Sequence, residues 1–343
     1  INLLLGPTTQ NNLLPIEVFN KATFFTNRPN SEIYPLLRVL GIRIDPCFVE
    51  GSGPLLCDRQ IRFIWQPVVV KSEIVTTIDA SVHIFFRLSD AEFDAVVSEI
   101  KELKQSYLAH YPKLNETPLN VHPVMSKLGL HDNYTAKLKQ IYLKAIESKT
   151  LHRMTFMKLK GINDTWVFGG FNFKAGYLSA DIFIPRLDKE TQQDFINSLA
   201  IRPGPTQFSG AIFPSPDDSD IFSQIVRDSF ELDTTREEEL RAMIRSIADF
   251  ENPQKHNPGT LDCVTCHLAN TVREWSYLNL ANLNLKAEYD QVKFNNSNYI
   301  LDNVSEKQGQ TNIVRMFGYF DEKPFVATRT INESAEVLKL INK

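Results

Sequence analysis

The chain is expected to adopt an α+β fold, and three observations predict it. Its first ninety residues carry long runs of β-branched and aromatic residues, whereas its last third carries helical periodicity. Helical and strand-like segments are grouped instead of alternating, which disfavours a parallel βαβ architecture. The composition is that of a folded protein: 343 residues, 43% apolar and 23% charged. We expect a β-rich unit, an antiparallel sheet or sandwich with helices, over residues 1–205. A mainly helical region, closed by a hairpin, is expected over 206–343.

In order along the chain, Glu32 to Ile44, Gln60 to Val70 and Thr76 to Phe86 read as strands, with Pro67 marking an edge or strand end. Ser89 or Asp90 caps a helix in which Phe93, Val96, Val97, Ile100, Leu103 and Leu108 recur at helical spacing up to His110. A second helix runs from Asn133 to Ser148. Three strand-like runs between Leu151 and Ile184 read as a meander, and Pro203, Pro205, Pro214 and Pro216 mark irregular chain. Asp217 to Phe230 and Thr234 to Phe250 read as helices, the latter with Glu237, Glu238 and Glu239 where the helix dipole favours acids. Asn312 to Tyr319 and Pro324 to Arg329 are expected to form a hairpin about Asp321-Glu322-Lys323, before a helix from Asn332 to Ile341.

The four cysteines fall into two close pairs. Between Cys47 and Cys57 lie Gly51, Gly53 and Pro54, which let the chain double back, so a disulfide is expected there. Such a bridge persists only in an oxidising compartment. The second pair lies in Cys263-Val264-Thr265-Cys266-His267. Two thiols three positions apart at a helix start can each form a thioether to one porphyrin, and the adjacent imidazole can reach its iron. Thr260 or Asp262 is the expected cap, and Leu268 to Leu280 can continue the helix.

This motif resembles the haem-attachment site of the c-type cytochromes. The resemblance covers those five residues. It implies one covalent haem c, Cys263 and Cys266 as thioether donors, His267 as proximal iron ligand, and maturation outside the cytoplasm. The whole chain also resembles uncharacterised exported proteins of proteobacteria, a likeness that supplies no activity. Met316 or His256 is the candidate distal ligand, Met243 a third, and Arg315 could pair with a haem propionate. Trp275 and Tyr277 could pack on the ring. Alternatives for the pair are a structural disulfide, a zinc site or a redox dithiol.

Other chemistry is poorly signalled. The net charge of −4 and the absence of a basic stripe argue against nucleic acid. No apolar run reaches the roughly 18 residues of a membrane span. No His-Glu-x-x-His, Gly-x-Ser-x-Gly or phosphate-loop motif occurs. Asp217-Asp218-Ser219-Asp220 resembles a calcium loop only loosely and reads better as a helix cap. Sequons at Asn115, Asn133, Asn163, Asn295, Asn303 and Asn332 fit an Asn-rich chain. The expected function is one-electron transfer or haem-based redox sensing in the periplasm or at the cell surface of a bacterium, with a redox partner protein. The chain begins at Ile1, which fits a removed signal peptide or a lipid-anchored terminus. The competing expectation is a non-enzymatic exported binding or structural protein.

Overall fold

A computed structural model describes residues 13–22, 29–49, 57–112, 119, 121–160, 165–174, 178–185, 192–196, 212, 221–295 and 315–342. The loop residues Gly51, Gly53 and Pro54, the prolines from 203 to 216, the acidic run 217–220 and the sequons at Asn115, Asn163 and Asn303 lie outside them.

The fold is α+β, built on one antiparallel sheet and not a sandwich. Strands β1 (Leu37–Val49), β2 (Cys57–Lys71), β4 (Ala80–Leu88), β5 (Arg153–Lys160), β6 (Thr165–Lys174) and β7 (Leu178–Asp181) lie side by side in that order. β3 (Ile74–Thr77) pairs with β2, and β8 (Gln192–Ile196) pairs with β6. Two expectations need correction. The segment from Glu32 starts as a helical turn, Asn30–Ile33, because Pro35 then fixes a tight turn and delays β1 to Leu37. Thr76 to Phe86 is two strands, since β3 ends at Thr77, the chain bends at Ile78–Asp79, and β4 resumes from Ala80 along the same edge of β2 with its register shifted.

Strand alternation sends two different surfaces to the two faces of the sheet. Ile61, Phe63, Trp65, Val82, Ile84, Phe86, Met154 and Phe156 face one side, where helices α3 (Asp90–Leu108) and α5 (Asn133–Ile146) cover them. The short helices α1 (Ile16–Phe19), α2 (Asn30–Ile33) and α4 (Pro123–Leu128) add to the same core. Completely burying side chains such as Phe63 and Trp65 stabilises the fold by roughly 2–3 kcal/mol each. Ser89 caps α3 in a reciprocal box with Glu92, and Asp132 caps α5.

The opposite face is mixed. At one end Met157, Trp166 and Phe168 join a second core with helices α6 (Ile221–Asp228), α7 (Glu237–Phe250), α8 (Cys263–Asn279) and α9 (Leu285–Val292). At the other end it carries Arg43, Asp45, Gln60, Arg62 and His83, against which α10 (Thr328–Ile341) packs. The molecule therefore has three layers, with the sheet in the middle. Asn332, in α10, is buried and donates to the Glu251 carbonyl, which hides that sequon from modification.

The expected hairpin is present as β9 (Phe317–Phe320) and β10 (Lys323–Val326). It docks on the sheet through buried Gln66, which accepts from the Tyr319 N–H at 2.9 Å and donates to the Tyr319 carbonyl at 2.9 Å. Gly318 has φ 140° and a Cβ there would lie 2.8 Å from the Gln66 Oε1, so the approach needs glycine. Cys47 and Cys57 form the expected disulfide, with Cα atoms 4.8 Å apart, joining β1 to β2.

Candidate functional site

The Cys-x-x-Cys-His segment is the first turn of α8. The first amides of any helix need outside acceptors, and here two side chains supply them. Asp262, almost wholly buried, accepts from the Thr265 N–H at 3.1 Å and from the Thr265 hydroxyl at 2.8 Å. Gln193 of β8 donates to Asp262 at 2.8 Å and accepts from the Val264 N–H at 3.0 Å. Gln193 is also the cross-strand partner of Phe168, whose ring meets the His267 imidazole at 4.8 Å. Adjacent residues on one sheet face thus fix both the start of α8 and the direction of His267.

Cys263 and Cys266 are not bonded to each other. Cys263 packs against Ile184. The Sδ of Met316, fifty residues downstream, lies 3.8 Å from the Cys266 Sγ. Met316 is held there because its carbonyl accepts from Ala327 N–H at 2.7 Å and from the Thr330 hydroxyl. A helix start ordinarily lowers a thiol's pKa. Here burial, followed by the charge of Asp262, pushes Cys263 up to about 12. Burial likewise pushes Cys266 up to about 12. Both sulfurs are neutral thiols at physiological pH, which is unsuited to a nucleophilic redox dithiol. Among the described residues no group of three or more His, Cys, Asp or Glu is placed to hold a metal ion.

The remaining candidates are scattered. His256 packs edge-on against Phe250 at 5.7 Å, with its Nδ1 3.3 Å from the Thr260 hydroxyl. Arg315 pairs with Asp79, donates to the Tyr319 carbonyl and lies over the Phe320 ring. Its guanidinium is thus committed at the hairpin. Met243 and Trp275 lie in the helical core, and Tyr277 packs near Tyr289 at 6.4 Å.

Two residues missed in the sequence belong here. His83 on β4 is half-buried, and burial, then the positive charge of Arg62 and the neighbouring His267, lower its pKa well below 6.5. His83 and Arg62 stand on the sheet face that also carries Phe168, the residue against which His267 packs. Gln193 was likewise illegible, because its partners are 69 and 71 residues away. A lone His in a strand of partial alternation was the only available signal for His83.

No family model, curated protein or solved structure matches the chain. The arrangement must be judged on its own chemistry. Two unbonded thiols and an imidazole lie on one helix turn, with the Met316 thioether against one of the thiols. The free thiols are able to form thioethers, and the imidazole and thioether are of the kinds that ligate haem iron.

Proposed function

We propose that the chain is an exported monohaem protein resembling the c-type cytochromes, serving one-electron transfer or haem-based redox sensing in a bacterial envelope. The observation that carries this reading is the meeting of Met316 with Cys266, 3.8 Å apart across fifty residues of chain. A sulfur ligand candidate and the attachment motif lie in one corner although nothing in local sequence links them.

Each residue has a definite task in this reading. Cys263 and Cys266 would hold the haem as thioethers to its vinyl groups. His267, whose ring packs on Phe168, and Met316 would be the ligands of its iron. Asp262 and Gln193 hold the turn in register. Haem, once bound, supplies reversible one-electron chemistry at iron, with a potential tuned by its axial ligands and burial. The Cys47–Cys57 disulfide supports an oxidising compartment.

The test is production of the chain in a bacterium equipped for cytochrome c maturation. We expect a coloured protein whose mass exceeds that of the chain by one haem, and loss of that mass when both Cys263→Ala and Cys266→Ala are introduced. A colourless chain of unaltered mass, with Cys263 and Cys266 oxidised to each other, would favour the binding-protein alternative instead.

A further inference from the structure

Between the sheet and α10 lies an ion network with one cation too many. Arg43 pairs with both Asp45 and Glu333. Arg329 pairs with Glu333 at 2.8 Å and donates to the Phe250 and His256 carbonyls. Gln60 donates to the second oxygen of Asp45 at 3.2 Å. Arg62, the cross-strand neighbour of Arg43, is left with a distant contact to Asp45 at 3.8 Å. Its Nε is buried without a hydrogen-bond partner. Three guanidinium groups thus face two carboxylates. A buried charge is normally paired, because leaving it unpaired carries a heavy desolvation cost.

The network stands beside the cysteine turn, because α10 carries both Glu333, paired with Arg43, and Thr330, which bonds the Met316 that meets Cys266. Register places Arg62 opposite Phe85 on β4, and His83, two residues along, stands on that same face. The Arg62 guanidinium lies 5.7 Å from the Phe85 ring, and the His83 ring lies 6.4 Å from it. No hydrogen bond engages the His83 imidazole among the described residues. Both side chains keep some exposed surface, so solvent reaches the space before them. Arg153, further along this face, donates to Asn172. Arg315 is taken by Asp79.

We infer that Arg62 is the anchor for a carboxylate entering the space between the sheet and the first turn of α8. This rests on the haem reading above, in which the carboxylate is a propionate of the attached group. An Arg with its fork free along one edge suits a carboxylate, which accepts two parallel N–H bonds. The anion also neutralises the network, making three charges of each sign.

The inference predicts a reversal of sign. In the chain produced without haem, Arg62→Met removes an uncompensated buried cation, and Tm should rise by roughly 2–4 °C. In the haem-loaded chain the same substitution removes the carboxylate's partner, and Tm should fall by a similar amount. Arg62→Lys keeps the charge without the fork and should lie between wild type and Arg62→Met in both forms. A Tm change of the same sign and size in both forms overturns the assignment. Should the Met variant not fold, Arg62→Gln provides the same comparison. Failure of the haem reading shows separately, as wild-type chain that carries no haem. The site is then decided by titrating that chain with succinate. A rise in Tm that Arg62→Met abolishes keeps a free-carboxylate site, and no rise in wild type removes it.

Discussion

At the scale of single residues, the two sulfurs of α8 contrast with the usual reactive cysteine. A thiolate attacks and a thiol does not, so holding both groups near pKa 12 protects them. The haem-free folded chain should react with iodoacetamide at pH 8 at least about a hundredfold more slowly at Cys263 and Cys266 than the urea-unfolded chain. Equal rates would mean that the thiols are not buried as described. The linkage has a defined sign. Because the folded pKa is raised, these thiols contribute stability below pH 9.0, and that contribution is lost as pH rises from there towards 12. These cysteines and His267 could be singled out in sequence because their spacing is a local pattern. Arg62 and His83 could not, since each looks like an ordinary strand residue until the register of β1, β2 and β4 places them.

At the scale of elements, α8 depends on a cap that was half legible. Asp262 was one of two expected caps and is the one used. Its partner Gln193 belongs to a short strand that local pattern does not reveal, because β8 is defined by its pairing with β6. Replacing Asp262 by Ala strands the Thr265 amide and the Gln193 side-chain N–H in a buried place. We expect a loss of about 2–3 kcal/mol in urea unfolding, and no loss beyond about 0.5 kcal/mol would show that the cap is dispensable. Asp262→Asn keeps an acceptor and should cost less. The long helices α3 and α5 were readable nearly to the residue, because amphipathic spacing and a polar cap act locally. The eight-residue helix α9 was missed, since its buried positions, Leu285 and Tyr289, give a single helical repeat.

At the scale of the whole molecule, the polar face of the sheet holds the third layer partly by charge. Burial opposes ionisation of Glu333, but Arg43 and Arg329 outweigh it and hold the carboxyl well below its usual 4.5. A depressed folded pKa means that the unfolded chain takes up protons first as pH falls. The stabilisation is complete above about 4.5 and is lost below it, down through the folded pKa. Wild type should therefore exceed Glu333→Gln in Tm at pH 6, with the gap shrinking steadily between pH 4.5 and 3. A gap constant over that range would place the contribution of Glu333 elsewhere. The α+β class was legible from grouping of helical and strand patterns. The three-layer packing was not, because both sheet faces had to be covered by elements separated by more than a hundred residues.

The bond between Gln66 and Tyr319 has a consequence in time. It joins positions 253 residues apart, so the hairpin can settle only after β2 exists and the chain has been made past Tyr319. Settling brings Met316 against Cys266, and two sulfurs at 3.8 Å leave no room for an atom between them. An enzyme that needs the side of Cys266 held by Met316 must therefore act before that closure, or wait for it to reopen. The hairpin and Met316 before it act as a clock for what can be done to the helix start they close upon.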